Sequence, residues 1–154
     1  MRTSDRHRHI AALSLFWALA GCTRTEYPMG PVPEAAARAS AIDWSHPQKT
    51  EIAMTEFDFR PDRLSLQEGQ PYALHVVNIG SFSHTLTAPE FFRSVTFADG
   101  STPRQQPDAA GTIELRPGES LDLALAPLQR GSFPMECVKP LHAAFGMRGT
   151  IDVQ

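Results

Sequence analysis

The stretch C-V-K-P-L-H-A-A-F-G-M, residues 137–147, decides how the rest of the chain is read. It places a thiol, an imidazole and a thioether at Cys137, His142 and Met147, with four residues between neighbours. With one further histidine, these groups make the donor set of a mononuclear copper centre: two imidazoles and a thiolate in a plane, with a weak, long axial thioether. Thiolate and thioether favour Cu(I), and imidazole tolerates both oxidation states, so such a set can cycle one electron with little ligand movement. Three ligands from one loop require a tight turn. Gly146 permits positive φ and Pro140 fixes its own φ, as such a turn needs. With six His and five Met in 154 residues, the spacing arises by chance from a given Cys about once in a thousand. The competing account is an ordinary sandwich loop with a buried Cys.

Outward from this loop the pattern is that of strands. Upstream, S-F-P-M-E-C puts Phe133, Met135 and Cys137 on one face. Pro134 falls on the other, where its missing N–H confines it to an edge or a bulge. Met135 is an alternative thioether, but two residues along a strand is about 7 Å from Cys137, which favours core packing. Downstream, Ile151 and Val153 close the sheet. Further back, Thr112 to Leu115 and Leu121 to Leu125 read as a hairpin about Pro117 and Gly118. Tyr72, Leu74 and Val76 alternate inward, leaving His75 on the sheet surface. Ile52, Met54, Phe57 and Phe59 read as one strand with a bulge near Thr55 and Glu56. The aromatic segment at 89–97, with Phe91, Phe92 and Phe97, is expected to cover an open end of the sandwich. The polar stretch 98–111 reads as a surface loop, with partner recognition as the alternative.

The fourth ligand must come from elsewhere. His84 lies 53 positions before Cys137, at a strand–loop junction in N-I-G-S-F-S-H, residues 78–84. N-x-G-x-x-x-H followed by C-x4-H-x4-M resembles the cupredoxins, whose plastocyanins and azurins share this order of ligands. The resemblance covers roughly residues 50–154. It implies an all-β Greek-key β-sandwich of about 7–8 strands, with His84, Cys137, His142 and Met147 holding one copper ion. It also implies that the Thr85 N–H and one N–H in the 138–142 loop bond to the Cys sulfur, and that Asn78 or Ser83 braces the loop. The spacing departs from both subgroups: plastocyanins have two residues between Cys and His, azurins three between His and Met. In cupredoxins the C-terminal loop histidine is the exposed ligand, inside an apolar docking rim. Leu141, Ala143, Ala144 and Phe145 would form that rim here.

The N-terminus reads as an address. Basic residues precede an apolar run of twelve, Ile10 to Gly21, which is too short for a membrane span of about 20 residues. It ends in L-A-G-C, residues 19–22, resembling the lipobox of bacterial lipoproteins, in which Cys22 carries the lipid. The alternative is a plain secretory signal. The expected organisation is a signal segment at 1–21, a tether at 22–49 and a copper-binding domain at 50–154. The expected location is the periplasmic face of a membrane, more so the outer one, because Thr23 and not Asp follows the Cys. Removing the prefix takes three of 14 basic and one of 17 acidic residues, leaving an acidic chain with no signature of nucleic-acid binding. With Cys22 lipidated, Cys137 is the one remaining thiol in an oxidising compartment and has no intrachain partner.

These readings converge on a membrane-anchored one-electron carrier. It would exchange electrons with a cytochrome, a quinol-oxidising complex or an oxidase. A copper holder or donor for trafficking or oxidase assembly is the alternative, and a metal-free lipoprotein the third. An enzyme is not expected: multicopper oxidases need further histidine clusters, and a dinuclear centre needs a second loop Cys.

Overall fold

The computed structural model describes residues 33–99 and 106–154. The signal segment, Cys22, the first part of the tether (residues 22–32) and residues 100–105 of the polar loop lie outside them. The described chain runs α1 (Pro33–Ser40), β1 (Gln48–Thr55), β2 (Asp58–Arg60), β3 (Arg63–Leu66), β4 (Tyr72–Asn78), β5 (His84–Thr87), α2 (Pro89–Arg93), β6 (Val95–Phe97), β7 (Thr112–Leu115), β8 (Ser120–Pro127), β9 (Gly131–Glu136) and β10 (Arg148–Val153).

The strands form two five-stranded sheets, ordered β2-β1-β4-β8-β6 and β3-β10-β9-β5-β7. The pairs β1–β4 and β3–β10 are parallel and the rest antiparallel. Each inner face is the apolar half of an alternating pattern. Tyr72, Leu74 and Val76 of β4 are buried, whereas Ala73, His75 and Val77 are only partly so. Leu86, Ile113, Leu115, Phe133, Met135, Ile151 and Val153 answer them from the second sheet. Full burial of each such side chain contributes about 1.5–3 kcal/mol. Met135 belongs to this core, and His75 is on the outer face with Nδ1 2.7 Å from Asp122 Oδ1.

Three sequence expectations differ from the fold. The strand count is ten among the described residues, because β2 and β6 are three-residue pieces that give no clear periodicity. The residues read as a bulge are a two-residue turn: Thr55 pairs with Asp58, and Met54 with Phe59. Phe57 sits at its tip with φ 63°, so it does not share the inward face of Phe59. That φ costs a bulky L-residue about 1 kcal/mol.

The segments at 112–115 and 121–125 are not a hairpin. β7 pairs with β5 and β8 with β4, in opposite sheets. The connection is pinned to the end of β4 instead, where the Asn78 N–H donates to Glu119 O and the Gly118 N–H donates to Asn78 O, both at 2.9 Å. Alternation alone does not distinguish two strands that face each other across a core from two that lie side by side.

The aromatic segment is helix α2 followed by β6. Phe91 and Phe92 are buried, and the Phe91 ring lies 5.9 Å from Phe133. Helix α1 falls within the tether stretch. Its Arg38 donates to Glu68 at 3.1 Å and to the Leu128 carbonyl at 3.2 Å, fastening the helix to the sandwich.

Candidate metal centre

The loop 137–147 begins where β9 ends and closes where β10 starts. The Cys137 N–H donates to Met147 O at 3.1 Å, so these two residues extend the β9–β10 ladder by one bond. Between them the backbone coils: Phe145 N–H reaches Leu141 O at 2.9 Å, and Met147 N–H reaches His142 O at 3.1 Å. Leu141 at φ 70° and Gly146 at φ 106° provide the reversals. Pro140 precedes the first and Gly146 makes the second, as their φ preferences allow.

His84 arrives from the other direction, as the first residue of β5, paired with Leu115 of β7. It is fully buried, as are Cys137 and Met147, while His142 is partly exposed. The structure brings His84, Cys137 and His142 together: one donor atom from each lies within 4.8 Å of the others. The two Nδ1 atoms are 3.1 Å apart, and Cys137 Sγ is 3.4 Å from His142 Nδ1. A first-row metal with bonds of about 2.0 Å to nitrogen and 120° angles sets its ligand nitrogens about 3.5 Å apart, so the two distances that involve His142 are within a few tenths of an ångström of coordination spacing. Burial, then the neighbouring His142 charge, hold His84 below the usual imidazole pKa, partly offset by Glu56. A neutral imidazole offers the lone pair that a metal requires. Thiolate with two imidazoles is a set that suits one copper ion.

The sulfur is held from one side. Thr85 donates to Cys137 Sγ through its N–H at 3.4 Å and its hydroxyl at 3.6 Å. The expected N–H from the 138–142 loop goes elsewhere: Val138 N–H donates to Thr85 Oγ1 at 2.9 Å. Thr85 is thus both a donor to the sulfur and an acceptor for the loop, and its hydroxyl has no sequence signature beyond standing next to His84. Of the two candidate braces, Asn78 serves. Its Nδ2 donates to Phe82 O at 2.8 Å and to Leu115 O at 2.9 Å, and its Oδ1 accepts the Gly80 N–H at 2.9 Å.

The surface around His142 is apolar. Leu141 is 67% and Phe145 63% exposed, with Ala144 exposed and Ala143 partly so. Phe57, Ile79, Phe82 and Val138 complete the large exposed apolar side chains of the described residues. All of them belong to the ligand-bearing loops or to the β1–β2 turn beside them. Phe57, expected on a strand, instead stands with its ring edge-on to His142, with centroids 5.2 Å apart.

No protein-family model matches the sequence, and no curated protein matches it. Solved structures do. An auracyanin from the photosynthetic bacterium Roseiflexus castenholzii superposes with a TM-score of 0.52 at 19% identity, covering 71% of this chain and 99% of that one. Auracyanin A, a "blue" copper protein from the green thermophilic photosynthetic bacterium Chloroflexus aurantiacus, gives 0.50 at 17%, covering 71% and 100%. The multicopper oxidase mgLAC gives 0.50 at 18%, covering 71% of this chain but 39% of that one. At such identities the likeness is one of fold: the chain is a cupredoxin-like β-sandwich.

Proposed function

We propose that this protein is a one-electron carrier built on a single copper ion. The observation that carries the reading is the pairing of a buried Cys137–His84–His142 cluster with an apolar collar around its one partly exposed member. His84, Cys137 and His142 would hold the ion, with Met147 as the weak axial ligand. Copper supplies the exchange between Cu(I) and Cu(II). The protein's part is to keep the donors in place and dry. Sandwich strands fix Cys137 and His84, and the Thr85 donors stabilise negative charge on the sulfur. Electrons enter and leave through His142, with Leu141, Ala143, Ala144 and Phe145 forming the docking surface for a cytochrome, a quinol-oxidising complex or an oxidase. Exposed apolar area gathered in one place supports such a contact.

The anchor belongs to the same proposal. The L-A-G-C segment supports lipidation at Cys22 and a position on the periplasmic face of a bacterial membrane, the outer one by preference. Membrane fractionation of cells expressing the protein and a Cys22→Ser variant tests this; recovery of the unaltered protein in the soluble fraction would contradict it.

Voltammetry of the copper-loaded protein tests the carrier reading. A reversible one-electron wave and rapid oxidation by an added cytochrome are expected. Tight Cu(I) binding with no reversible wave would point to a copper holder or donor instead.

A further inference from the structure

Two adjacent residues outside the donor set touch both loops that carry it. The β1–β2 turn sets Glu56 and Phe57 side by side at the metal end. The Glu56 carboxylate accepts the Ser81 N–H, and the Thr55 hydroxyl also donates to it at 3.3 Å. Ile79 N–H reaches back to Met54 O at 2.9 Å. The loop that presents His84 is therefore tied to the end of β1 through its backbone at 79 and 81. Phe57 reaches the other way. Its ring meets His142 edge-on at an interplanar angle of 89° and lies 5.0 Å from the Phe145 ring.

Two details show that these contacts override local preference. Phe57 occupies φ 63°, a conformation that Gly or Asn adopts more readily, and its ring contacts are with the 137–147 loop. Gly80 stands against both side chains: a Cβ there would lie 2.8 Å from Glu56 Oε1 and 3.1 Å from His84 Nε2, so the carboxylate would have to move aside. The missing side chain lets the carboxylate and the imidazole approach the same point.

We propose that the Glu56–Phe57 turn is a strap that fixes the separation of His84 and His142 and so preorganises the metal centre before the ion arrives. This rests on the copper reading of the site. Glu56 immobilises the backbone that aims His84, and Phe57 keeps the His142 ring from swinging outward. Because both sit on one two-residue turn, neither loop relaxes without the other. Both are positioning residues: neither belongs to the donor cluster.

The test uses the full chain with Glu56→Ala, Glu56→Gln and Phe57→Gly. In the metal-free protein, amide hydrogen exchange is read at Ser81 and Phe82 in one loop and at Phe145 and Gly146 in the other. In the copper-loaded protein, the rate of Cu(I) transfer to an excess of a Cu(I)-specific chelator is read, together with the visible and electron paramagnetic resonance spectra. Glu56→Ala is expected to speed exchange in both loops and copper loss by about tenfold, the usual scale for residues that orient ligands. Glu56→Gln, which keeps an acceptor for Ser81, should recover most of that loss. Phe57→Gly should also speed copper loss about tenfold while leaving the melting temperature of the metal-free protein unchanged or higher, since φ 63° suits glycine. Exchange that rises only in each variant's own loop, or copper loss within about twofold of the unaltered protein, would overturn the strap. If the unaltered protein takes up no copper, the function reading fails, and hydrogen exchange in the metal-free protein still decides whether the turn couples the loops.

Discussion

The two loops that build the centre are held in opposite ways. Residues 137–147 supply a thiol, an imidazole and a thioether, and their backbone closes mostly on itself, through bonds among Cys137, Leu141, His142, Phe145 and Met147, while Phe57 and Thr85 touch the loop from outside. Residues 78–84 supply one imidazole and depend on borrowed contacts. Asn78 links them to Leu115 of β7, Met54 and Glu56 link them to β1, and Thr85, next to His84, links the site to Cys137 and Val138. A loop with several ligands can be local because its spacing does the positioning. A loop with a single ligand needs the fold to aim it.

Truncation should expose that difference. Asn78→Ala removes three hydrogen bonds from a fully buried side chain. At about 1 kcal/mol for each, with buried carbonyls left unpaired, it is expected to cost about 2–4 kcal/mol in urea unfolding of the metal-free protein. A loss below about 0.5 kcal/mol would mean that the first loop holds itself as the second does. Thr85→Ala removes the hydroxyl shared by Cys137 and Val138, with an expected cost of about 1–2 kcal/mol. It should also shift the thiolate-to-copper absorption, whereas a purely structural Thr85 would leave the spectrum alone.

In the self-contained loop, Leu141→Gly is expected to do the reverse. Leu141 is exposed at φ 70°, so glycine relieves strain and should stabilise the metal-free protein by up to about 1 kcal/mol. Weaker docking to redox partners should accompany it, read as a slower bimolecular electron-transfer rate. Clear destabilisation would show that this loop, too, leans on its side chains.

The smallest effect lies away from both loops. Asp152 pairs with Arg63 across β3–β10 and accepts the Ser132 hydroxyl at 2.6 Å. The Ser132 hydrogen bond first, then Arg63, hold its carboxyl below the ordinary value of 3.8. A lowered native pKa adds stability that is fully present above the unfolded value and is lost as pH falls through the native one. Unfolding from pH 5 downward should therefore show a contribution below about pH 4 that is missing in Asp152→Asn.

The same contrast explains what was legible in the sequence. The donor spacing at 137–147 is local, so one segment displays it, and His84 stood out as a histidine at a strand–loop junction. The β character followed from alternation at Leu74, Val76, Leu121 and Leu123. Strand partners did not follow, because residues that alternate inward look alike whichever sheet holds them, and so β7 and β8 read as a hairpin although they lie in different sheets. Glu56 and Phe57 were hidden for a related reason. Their contacts are with Ser81 and His142, 25 and 85 positions away, and a charged residue followed by a phenylalanine carries no mark of either. Phe57 even counted toward a strand, since nothing in its identity announces a positive φ.

The most direct test of the central claim is a copper titration of the protein, followed by visible absorption and electron paramagnetic resonance. Uptake of one equivalent of Cu(II) should produce an intense thiolate-to-copper charge-transfer band, and that band should be lost in Cys137→Ser. Failure to bind either copper ion at one equivalent, or binding whose spectrum is unchanged by Cys137→Ser, would contradict a copper centre at His84, Cys137 and His142.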